Sequence, residues 1–368
     1  MTHTLSTQGL TVGYDGQPLI REITLSLRRG EILSLIGPNG AGKSTILKSL
    51  TRHLAPIAGT VYLENDALCG LSPRQIARRL AVVLTERIRP EMMTCYDVVA
   101  TGRYPYTGHL GTLTAADHAV ICRCLDCVRA GDLADRPFAC VSDGQRQRIM
   151  LARALCQEPE IIVLDEPTSF LDIRHKIELL NILLEMAREK GMTVILSLHE
   201  IDLAAKVSDR VMCVQGDRIT HLGTPEEIFT PQIIGALYGI EHGSYDVRFG
   251  SVELGKPQGT PDTFVLCGGG CGIPVFRQLQ RRRIPFYAGV LFDNDMDYAV
   301  ARPLATRVFV QPAFTSEDAR VTQAALEALD ACKTLIHSGV PILEGNRACG
   351  ALLRRALEKG MEIRRNEP

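Results

Sequence analysis

A phosphate-binding loop near the start of the chain constrains the fold more than any other stretch. Residues 37–45, Gly-Pro-Asn-Gly-Ala-Gly-Lys-Ser-Thr, match the pattern G-x-x-x-x-G-K-[ST]. The apolar run Ile32–Ile36 before the loop predicts a buried strand, and residues 44–50 after it predict the first turns of a helix. Since the backbone N–H groups of such a loop and the helix start both favour negative charge, the sequence predicts a nucleoside triphosphate site.

Individual residues of this region have separate predicted roles. Lys43 is expected to reach the β- and γ-phosphates, and the Ser44 hydroxyl to ligate Mg²⁺. Tyr14 is expected to stack on a purine ring, with a packed strand residue as the open alternative. The predicted nucleotide contacts in this part of the chain are Tyr14, Gly37, Asn39, Gly40, Gly42, Lys43, Ser44 and Thr45.

Two carboxylates follow a second apolar run. Ile161–Leu164 predicts a buried strand that ends at Asp165 and Glu166, the Walker B pattern. Asp165 is placed to hold Mg²⁺ through water, and Glu166 to polarise an attacking water. A further apolar strand ends at His199. Strands and helices that alternate in this way predict an α/β fold with a parallel sheet, whose ligands lie at the carboxyl ends of the strands.

The composition is that of an ordinary globular protein with no excess of either charge. Lys and Arg total 41 against 42 Asp and Glu, so no basic field favours nucleic acid. The first residues lack the features of a signal peptide, and no apolar run approaches the length of a membrane span, so a cytoplasmic protein is expected. Cys122, Cys124 and Cys127 have a spacing that on a helix points the first two apart. We expect them, like Cys267 and Cys271, to be small apolar residues rather than metal ligands.

The sequence resembles a known family at the stretch 141–148. Val-Ser-Asp-Gly-Gln-Arg-Gln-Arg begins a predicted helix and resembles the L-S-G-G-Q signature of ATP-binding-cassette ATPases. The phosphate loop, the Walker B carboxylates, a D-loop at 169–172 and His199 as switch histidine stand in the family's order over residues 1–240. The resemblance implies a cassette domain over 1–240, with an inserted helical subdomain at about 87–145.

The family also implies the site's partners. Its members form head-to-tail dimers in which ATP lies between the phosphate loop of one subunit and Ser142, Gly144, Gln145 and Asp172 of the other. It assigns catalysis to Glu166 and His199, and Mg²⁺ to Ser44, Asp165 and Glu86. Two positions depart from the pattern. Asp143 replaces a glycine and is expected to help cap the following helix, and Glu86 replaces a glutamine that ligates Mg²⁺.

One segment narrows the expected function. Gly102-Arg103-Tyr104-Pro105 resembles the G-R-x-P segment of ATPases that energise import of iron–siderophore complexes, haem and cobalamin. The resemblance implies the ATPase subunit of an importer at the cytoplasmic face of the membrane. Its partners would be polytopic permease subunits and, indirectly, an extracytoplasmic binding protein. An iron(III)–siderophore cargo is expected, with cobalamin or haem as alternatives. The rival from another class is a soluble cassette ATPase acting on nucleic acid or ribosomes.

The C-terminal third is an extension beyond the cassette. Residues 241–260, rich in Gly, Ser and Pro, predict a linker, and 261–368 predict a Rossmann-like α/β domain. A strand, a glycine-rich turn, a helix and a strand with an acidic end follow one another, but the third glycine of G-x-G-x-x-G is missing. A ligand-binding domain and a purely structural or dimerising one remain open. The candidate ligand contacts are Gly268, Gly270, Gly272 and Asp293.

Overall fold

The computed structural model describes residues 3–84, 92–108, 111–241, 243–247 and 250–365. These residues form two compact units, 1–229 and 230–368. The boundary therefore lies about ten residues before the position predicted from the sequence, because the helix after Phe229 packs within the second unit.

The first unit has two sheets with helices around them. Its strands are β1 (Leu5–Tyr14), β2 (Gln17–Leu27), β3 (Ile32–Ile36), β4 (Ala58–Leu63), β5 (Asp66–Ala67), β6 (Leu80–Val83), β7 (Ile161–Leu164), β8 (Thr193–Ser197), β9 (Arg210–Gln215) and β10 (Arg218–Gly223). Its helices are α1 (Lys43–Leu50), α2 (Pro73–Arg79), α3 (Cys95–Ala100), α4 (Ala115–Cys127), α5 (Asp143–Leu155), α6 (Ile173–Lys190), α7 (Ile201–Val207) and α8 (Pro225–Ile228).

The larger sheet of this unit positions the nucleotide motifs. Its order is β10-β9-β3-β8-β7-β6, parallel except for the β9–β10 pair. All residues of β3, β7 and β8 are buried, as expected for parallel strands covered on both faces. The smaller sheet, β2-β1-β4-β5, is antiparallel. The predicted α/β fold is confirmed.

The helical subdomain lies between β6 and β7 in the chain. Helices α3, α4 and α5 pack against one another, and each begins with a capping box in which two orphan N–H groups are satisfied reciprocally. The three boxes are Thr94 with Asp97, Thr114 with Asp117, and Ser142 with Gln145. The subdomain is longer than the predicted range because α5 continues to Leu155.

Helix α4 carries the three closely spaced cysteines. Cys122 is exposed, whereas Cys124 and Cys127 are partly buried. Among the residues that the structure describes, no group of His, Cys, Asp and Glu is arranged to hold a metal ion. Within the same ranges, no helix combines the length and the apolar character needed to cross a bilayer.

The second unit is built on one parallel sheet. Its strands are β11 (Gly243–Asp246), β12 (Ser251–Leu254), β13 (Thr263–Leu266), β14 (Phe286–Phe292), β15 (Arg307–Gln311), β16 (Thr334–His337) and β17 (Glu362–Arg365). Its helices are α9 (Pro231–Tyr238), α10 (Ile273–Arg281), α11 (Met296–Leu304), α12 (Ala319–Asp330) and α13 (Arg347–Glu358). The order β15-β14-β13-β16-β17 is that of a Rossmann-like half, as predicted. Phe264 and Leu335 pack toward α12 and α13, and Val265 packs toward α10 and α11.

A hairpin replaces much of the predicted linker. Strands β11 and β12 pair antiparallel, with Gly243 opposite Leu254, and both contact α11. Tyr245 is buried, and Glu253 is buried and forms an ion pair with Arg277 of α10. The Gly- and Ser-rich composition predicted a loop because it does not show that each strand buries one residue, Tyr245 in β11 and Glu253 in β12.

Candidate active site

The phosphate loop joins the buried strand β3 to helix α1. Gly37 and Gly42 have φ of 148° and 95°, in the region that favours glycine. A β-carbon at residue 37 would lie 2.2 Å from the Val214 carbonyl oxygen, so only glycine fits beside β9. The sequence thus folds the loop as a tight turn whose N–H groups lead directly into the start of α1.

Lys43 is buried in the turn at the start of α1. Its Nζ donates to the carbonyl oxygens of Gly37 at 2.8 Å and Pro38 at 3.0 Å. Burial lowers the pKa of this ammonium, while the nearby carboxylates of Glu166 and Asp165 act in the opposite direction. A cation held in this way is suited to contact phosphate oxygens at the mouth of the loop.

Asp165 gathers hydroxyl groups from two other elements at the carboxyl end of β7. Ser44 Oγ donates to Asp165 Oδ1 at 3.0 Å, and Ser197 Oγ donates to the same oxygen at 2.8 Å. The carboxylate is almost fully buried. Hard oxygen groups of this kind suit Mg²⁺, and Ser44 and Asp165 are the residues that could hold it. Ser197 was not predicted, although its place at the end of β8, beside β7, is the signal that could have identified it.

Glu166 and His199 meet directly. Glu166 Oε1 lies 2.6 Å from His199 Nε2, and Ser169 Oγ donates to Glu166 Oε2 at 3.1 Å. The Glu166 N–H donates to Ser197 Oγ at 2.8 Å, which holds this residue at a φ of 48°. A glutamate in this left-handed region costs about 1 kcal/mol, so its hydrogen bonds stabilise a backbone that aims the carboxylate.

These groups surround one cavity. It has a volume of about 420 Å³. The Tyr14 hydroxyl lies 3.3 Å from Thr45 Oγ1, and half of the Tyr14 surface is exposed, so its ring is accessible for stacking. The predicted site residues that line the cavity are Tyr14, Asn39, Gly40, Gly42, Lys43, Ser44, Thr45, Glu166 and His199.

The signature residues lie elsewhere on the same chain. Ser142, Gly144, Gln145 and Asp172 do not line this cavity. Ser142 caps α5 and accepts the Gln145 N–H at 3.3 Å. Asp172 caps α6 and accepts both the N–H and the ring Nδ1 of His175, at 2.9 and 2.8 Å.

Asp143 and Glu86 are the two positions that depart from the family pattern. Ser142 is the N-cap of α5, and Asp143 occupies the first helical position, where its charge favours the helix dipole without capping it. The expected capping role of Asp143 is therefore corrected. Glu86, the predicted substitute for a Mg²⁺-ligating glutamine, lies outside the described residues.

The glycine loop of the second unit is closed by its own carboxylates. The Gly272 N–H donates to Asp297 Oδ2 at 2.9 Å, and the Ile273 N–H donates to Asp297 Oδ1 at 3.1 Å. The Gly269 N–H donates to Asp295 at 3.0 Å. Asp297 is fully buried, and this burial raises its pKa.

Two members of the predicted ligand set of this loop already have partners within the chain, and Gly268 and Gly270 stay a prediction. The Gly272 N–H already has a carboxylate partner, and Asp293 accepts the Ala313 N–H at 2.9 Å. Gly268 and Gly270 lie in the same turn, ahead of the occupied start of α10. An internal anion at a helix N-terminus takes the place that a phosphate occupies in dinucleotide-binding folds.

The fold and cavity of the first unit define a phosphate-loop nucleoside triphosphatase with paired carboxylates. Comparison with known proteins identifies the family. The family model described as ABC transporter matches residues 20–169, and a second model, the MJ0874 family, matches residues 286–365.

Three relatives show how far the similarity extends. An uncharacterized ABC transporter ATP-binding protein of Methanocaldococcus jannaschii, MJ0873, is 43% identical over 78% of this chain and 99% of its own length. The probable siderophore transport system ATP-binding protein YusV of Bacillus subtilis is 37% identical over 64% of this chain and 86% of its own. The cobalamin import ATP-binding protein BtuD of Halobacterium salinarum is 32% identical over 95% of this chain and 93% of its own. The chain belongs to the ABC transporter ATP-binding proteins, and it is an ATPase that uses ATP with Mg²⁺.

Proposed function

We propose that this ATP-binding subunit of an ABC importer energises uptake of a metal chelate, with an iron(III)–siderophore complex and cobalamin as the candidate cargoes. Similarity to relatives named for siderophore transport and cobalamin import carries the proposal. The segment Gly102–Pro105, which resembles the same group of importers, is consistent with this similarity. Haem is a third chelate of this class.

The extent of the similarity favours cobalamin between the two cargoes. The siderophore relative matches 64% of this chain, whereas the cobalamin relative matches 95% and so includes the second unit. A shared accessory unit is a more specific observation than a shared cassette, because cassettes with different cargoes have the same ATP chemistry.

The cavity geometry supports a separate role for each of its residues in ATP hydrolysis. Lys43 and the loop N–H groups would bind the β- and γ-phosphates, and Ser44 and Asp165 would hold Mg²⁺, which neutralises charge on the phosphates when bound. Glu166 would polarise the attacking water. His199 would orient the Glu166 carboxylate through the 2.6 Å contact, since its Nε2 reaches one oxygen and leaves the other to Ser169.

A second copy of the chain would complete the site. Ser142, Gly144, Gln145 and Asp172 lie outside the cavity of their own chain. In a head-to-tail dimer they would face the phosphates held by the partner. The positive end of the α5 dipole would then supply a second surface favourable to anions.

A groove on the cassette is suited to a permease. It has a volume of about 550 Å³ and lies between α2 and the end of α5, with Ile76 and Ala77 on one wall and Met150 and Arg153 on the other. We infer that it receives a segment of the permease, because the cassette must pass its conformational change to a separate membrane protein. The chain would then lie at the cytoplasmic face of the membrane.

The importer-like segment ties the two walls of this groove together. Arg74 of α2 donates to the Pro105 carbonyl oxygen at 2.7 Å, and the Tyr106 hydroxyl donates to the Gln157 carbonyl oxygen at 2.8 Å. A β-carbon at Gly102 would lie 2.2 Å from the Arg153 carbonyl oxygen, so glycine is required there. The segment therefore fixes the shape of the surface that the permease would contact.

The test is transport by the reconstituted complex. The chain, purified with its permease, is placed in vesicles with ATP on the cassette side, and uptake of labelled cobalamin and labelled iron(III)–hydroxamate is measured. ATP-dependent uptake of one chelate, absent in Glu166→Gln, would support the proposal and choose the cargo. Copurification with ribosomes or nucleic acid, without a polytopic partner, would instead support the soluble rival.

A further inference from the structure

A basic cavity in the second unit has no role in the ATP chemistry. It has a volume of about 1050 Å³ and is bounded by the β11–β12 hairpin and by the ends of α10 and α11. Among the residues that the structure describes, four basic side chains and one carboxylate, that of Glu241, line it. The basic side chains are those of Lys256, Arg281, Arg283 and Arg302.

The four basic side chains differ from other cations of the second unit in their ion pairing. Among the described residues, none of them lies within 4 Å of a carboxylate oxygen. Other arginines of the same unit are paired: Arg277 with Glu253 at 2.5 Å and Arg355 with Asp330 at 2.8 Å. The side chains of Arg281, Arg283 and Arg302 are exposed, so the cavity concentrates uncompensated positive charge at an accessible surface.

Helix dipoles account for part of this arrangement. Arg281 lies in the last turn of α10 and Arg302 in the last turn of α11, where a cation stabilises a helix by about 0.3–1 kcal/mol. This reasoning does not extend to Lys256, which follows β12, or to Arg283, which lies beyond α10. Convergence of cations from three separate elements on one cavity needs another reason.

Arg283 stands where the backbone favours glycine. Its φ is 56°, and the chain closes α10 through Arg283 N–H to the Gln280 carbonyl and Ile284 N–H to the Leu279 carbonyl, both at 3.0 Å. This is the Schellman arrangement, in which glycine is the usual residue at the left-handed position. A side chain here costs about 1 kcal/mol, a strain that glycine at position 283 would not incur.

We propose that this cavity binds the phosphate groups of a nucleotide-sized ligand. One guanidinium group can donate two parallel hydrogen bonds to two oxygens of a phosphate. Three arginines line the same cavity as Lys256. Leu254 and Pro257 add apolar surface for the remainder of the ligand, and the volume is that of a small-molecule site. The usual phosphate position of this fold is occupied by Asp297, so a phosphate group would have to bind elsewhere in this unit. The proposal goes beyond chelate import and does not depend on it.

The experiment titrates the full chain with tripolyphosphate by calorimetry. The wild type should show two classes of sites, and Lys43→Ala, which silences the phosphate loop, should keep the one in the second unit. Adding Arg281→Gln and Arg302→Gln to Lys43→Ala should weaken that remaining site about a hundredfold, from about tenfold for each lost charged hydrogen bond. Arg320→Gln, an exposed arginine on α12 outside the cavity, is the matched control and should leave the affinity unchanged.

Arg283→Gly separates binding from folding. It should weaken tripolyphosphate binding about tenfold while the melting temperature stays equal or rises, because glycine relieves the left-handed strain. Vesicles with and without anionic phospholipid distinguish the source: binding only to anionic vesicles, lost in Arg281→Gln/Arg302→Gln, assigns the cavity to a lipid headgroup. The proposal is overturned if Lys43→Ala binds neither tripolyphosphate nor anionic vesicles. It is also overturned if Arg281→Gln/Arg302→Gln and Arg283→Gly leave binding unchanged.

Discussion

Gly144 and His175 pack so closely that a β-carbon on residue 144 would lie 3.0 Å from Cγ of the imidazole ring. The same ring donates from Nδ1 to Asp172 Oδ1 at 2.8 Å. One contact therefore links the start of α5 to the start of α6. Both are segments that we assign to the nucleotide held by a partner subunit.

Gly144→Ala should lower ATP hydrolysis, because the new methyl group displaces His175 and with it Asp172. A shift of a few tenths of an ångström at groups that position a substrate should reduce turnover by roughly tenfold. Steady-state hydrolysis measures it. Gly235→Ala on α9 is the control, since among the described residues no atom lies within 4 Å of a β-carbon built there. Equal rates for the two variants would show that the α5–α6 contact does not position the site.

Arg103→Ala should destabilise the first unit strongly. Arg103 is buried and bonds the Asp117 carboxylate at 2.9 Å, that of Glu158 at 2.8 Å and the Cys156 carbonyl oxygen at 2.8 Å. Removing one partner of a buried ion pair typically costs about 3–5 kcal/mol. Arg103→Lys should lose less, because it keeps the charge. Urea unfolding measures the free energy of unfolding of both variants. A decrease below about 1 kcal/mol for Arg103→Ala would show that the buried ion pairs of Arg103 do not stabilise the first unit.

Asp297→Asn should change how the stability of the second unit depends on pH. Burial raises the pKa of Asp297, so the folded chain binds this proton more tightly than the unfolded chain. Above the folded pKa, the buried charge of Asp297 lowers the stability of the folded chain. This loss of stability disappears as the pH falls through the folded pKa. The melting temperature of the wild type, relative to that of Asp297→Asn, should be lowest at neutral pH and should rise as the pH falls toward the ordinary carboxyl pKa of about 4. A constant difference would mean that Asp297 keeps its ordinary pKa.

A chain ending at Phe229 should fold and hydrolyse ATP. Every residue of the cavity and of the signature lies before that point. An end at Gly250, inside the predicted linker, would retain β11 without its partner β12 and leave an unpaired edge. Circular dichroism and ATPase assays compare the two chains. An insoluble 1–229 chain beside an active 1–250 chain would contradict the boundary.

The parts of the site that sequence predicts well are local. The phosphate loop follows its strand directly, and Asp165 and Glu166 follow theirs, so spacing alone places them. Ser197 was missed because a serine at a strand end has no pattern of its own. It matters only because β8 lies beside β7, which brings its hydroxyl within 2.8 Å of Asp165.

The second unit shows the opposite limit. A glycine-rich turn between strand and helix predicted free N–H groups, but Asp297, 25 residues after Gly272, occupies them. Helix α11, which positions Asp297, was not predicted, because Pro303 near its end obscures the helical pattern. The Arg103 segment was recognised by resemblance alone, since its carboxylate partners come from two other segments.

In the proposed mechanism, Glu166 polarises the attacking water, and His199 orients the Glu166 carboxylate. Glu166→Gln keeps the size and shape of the side chain but removes the carboxylate base. The affinity for ATP should therefore be unchanged, and the chain should accumulate as a dimer with ATP. His199→Ala should slow hydrolysis without loss of binding, because the 2.6 Å contact to Glu166 is absent.

The most direct measurement is single-turnover ATP hydrolysis by Glu166→Gln beside the wild type at saturating Mg²⁺–ATP. Loss of a positioned general base should reduce the rate by about 10²–10⁴-fold, with the dissociation constant for ATP unchanged. Hydrolysis at a rate close to that of the wild type would contradict the account and remove Glu166 from the chemistry.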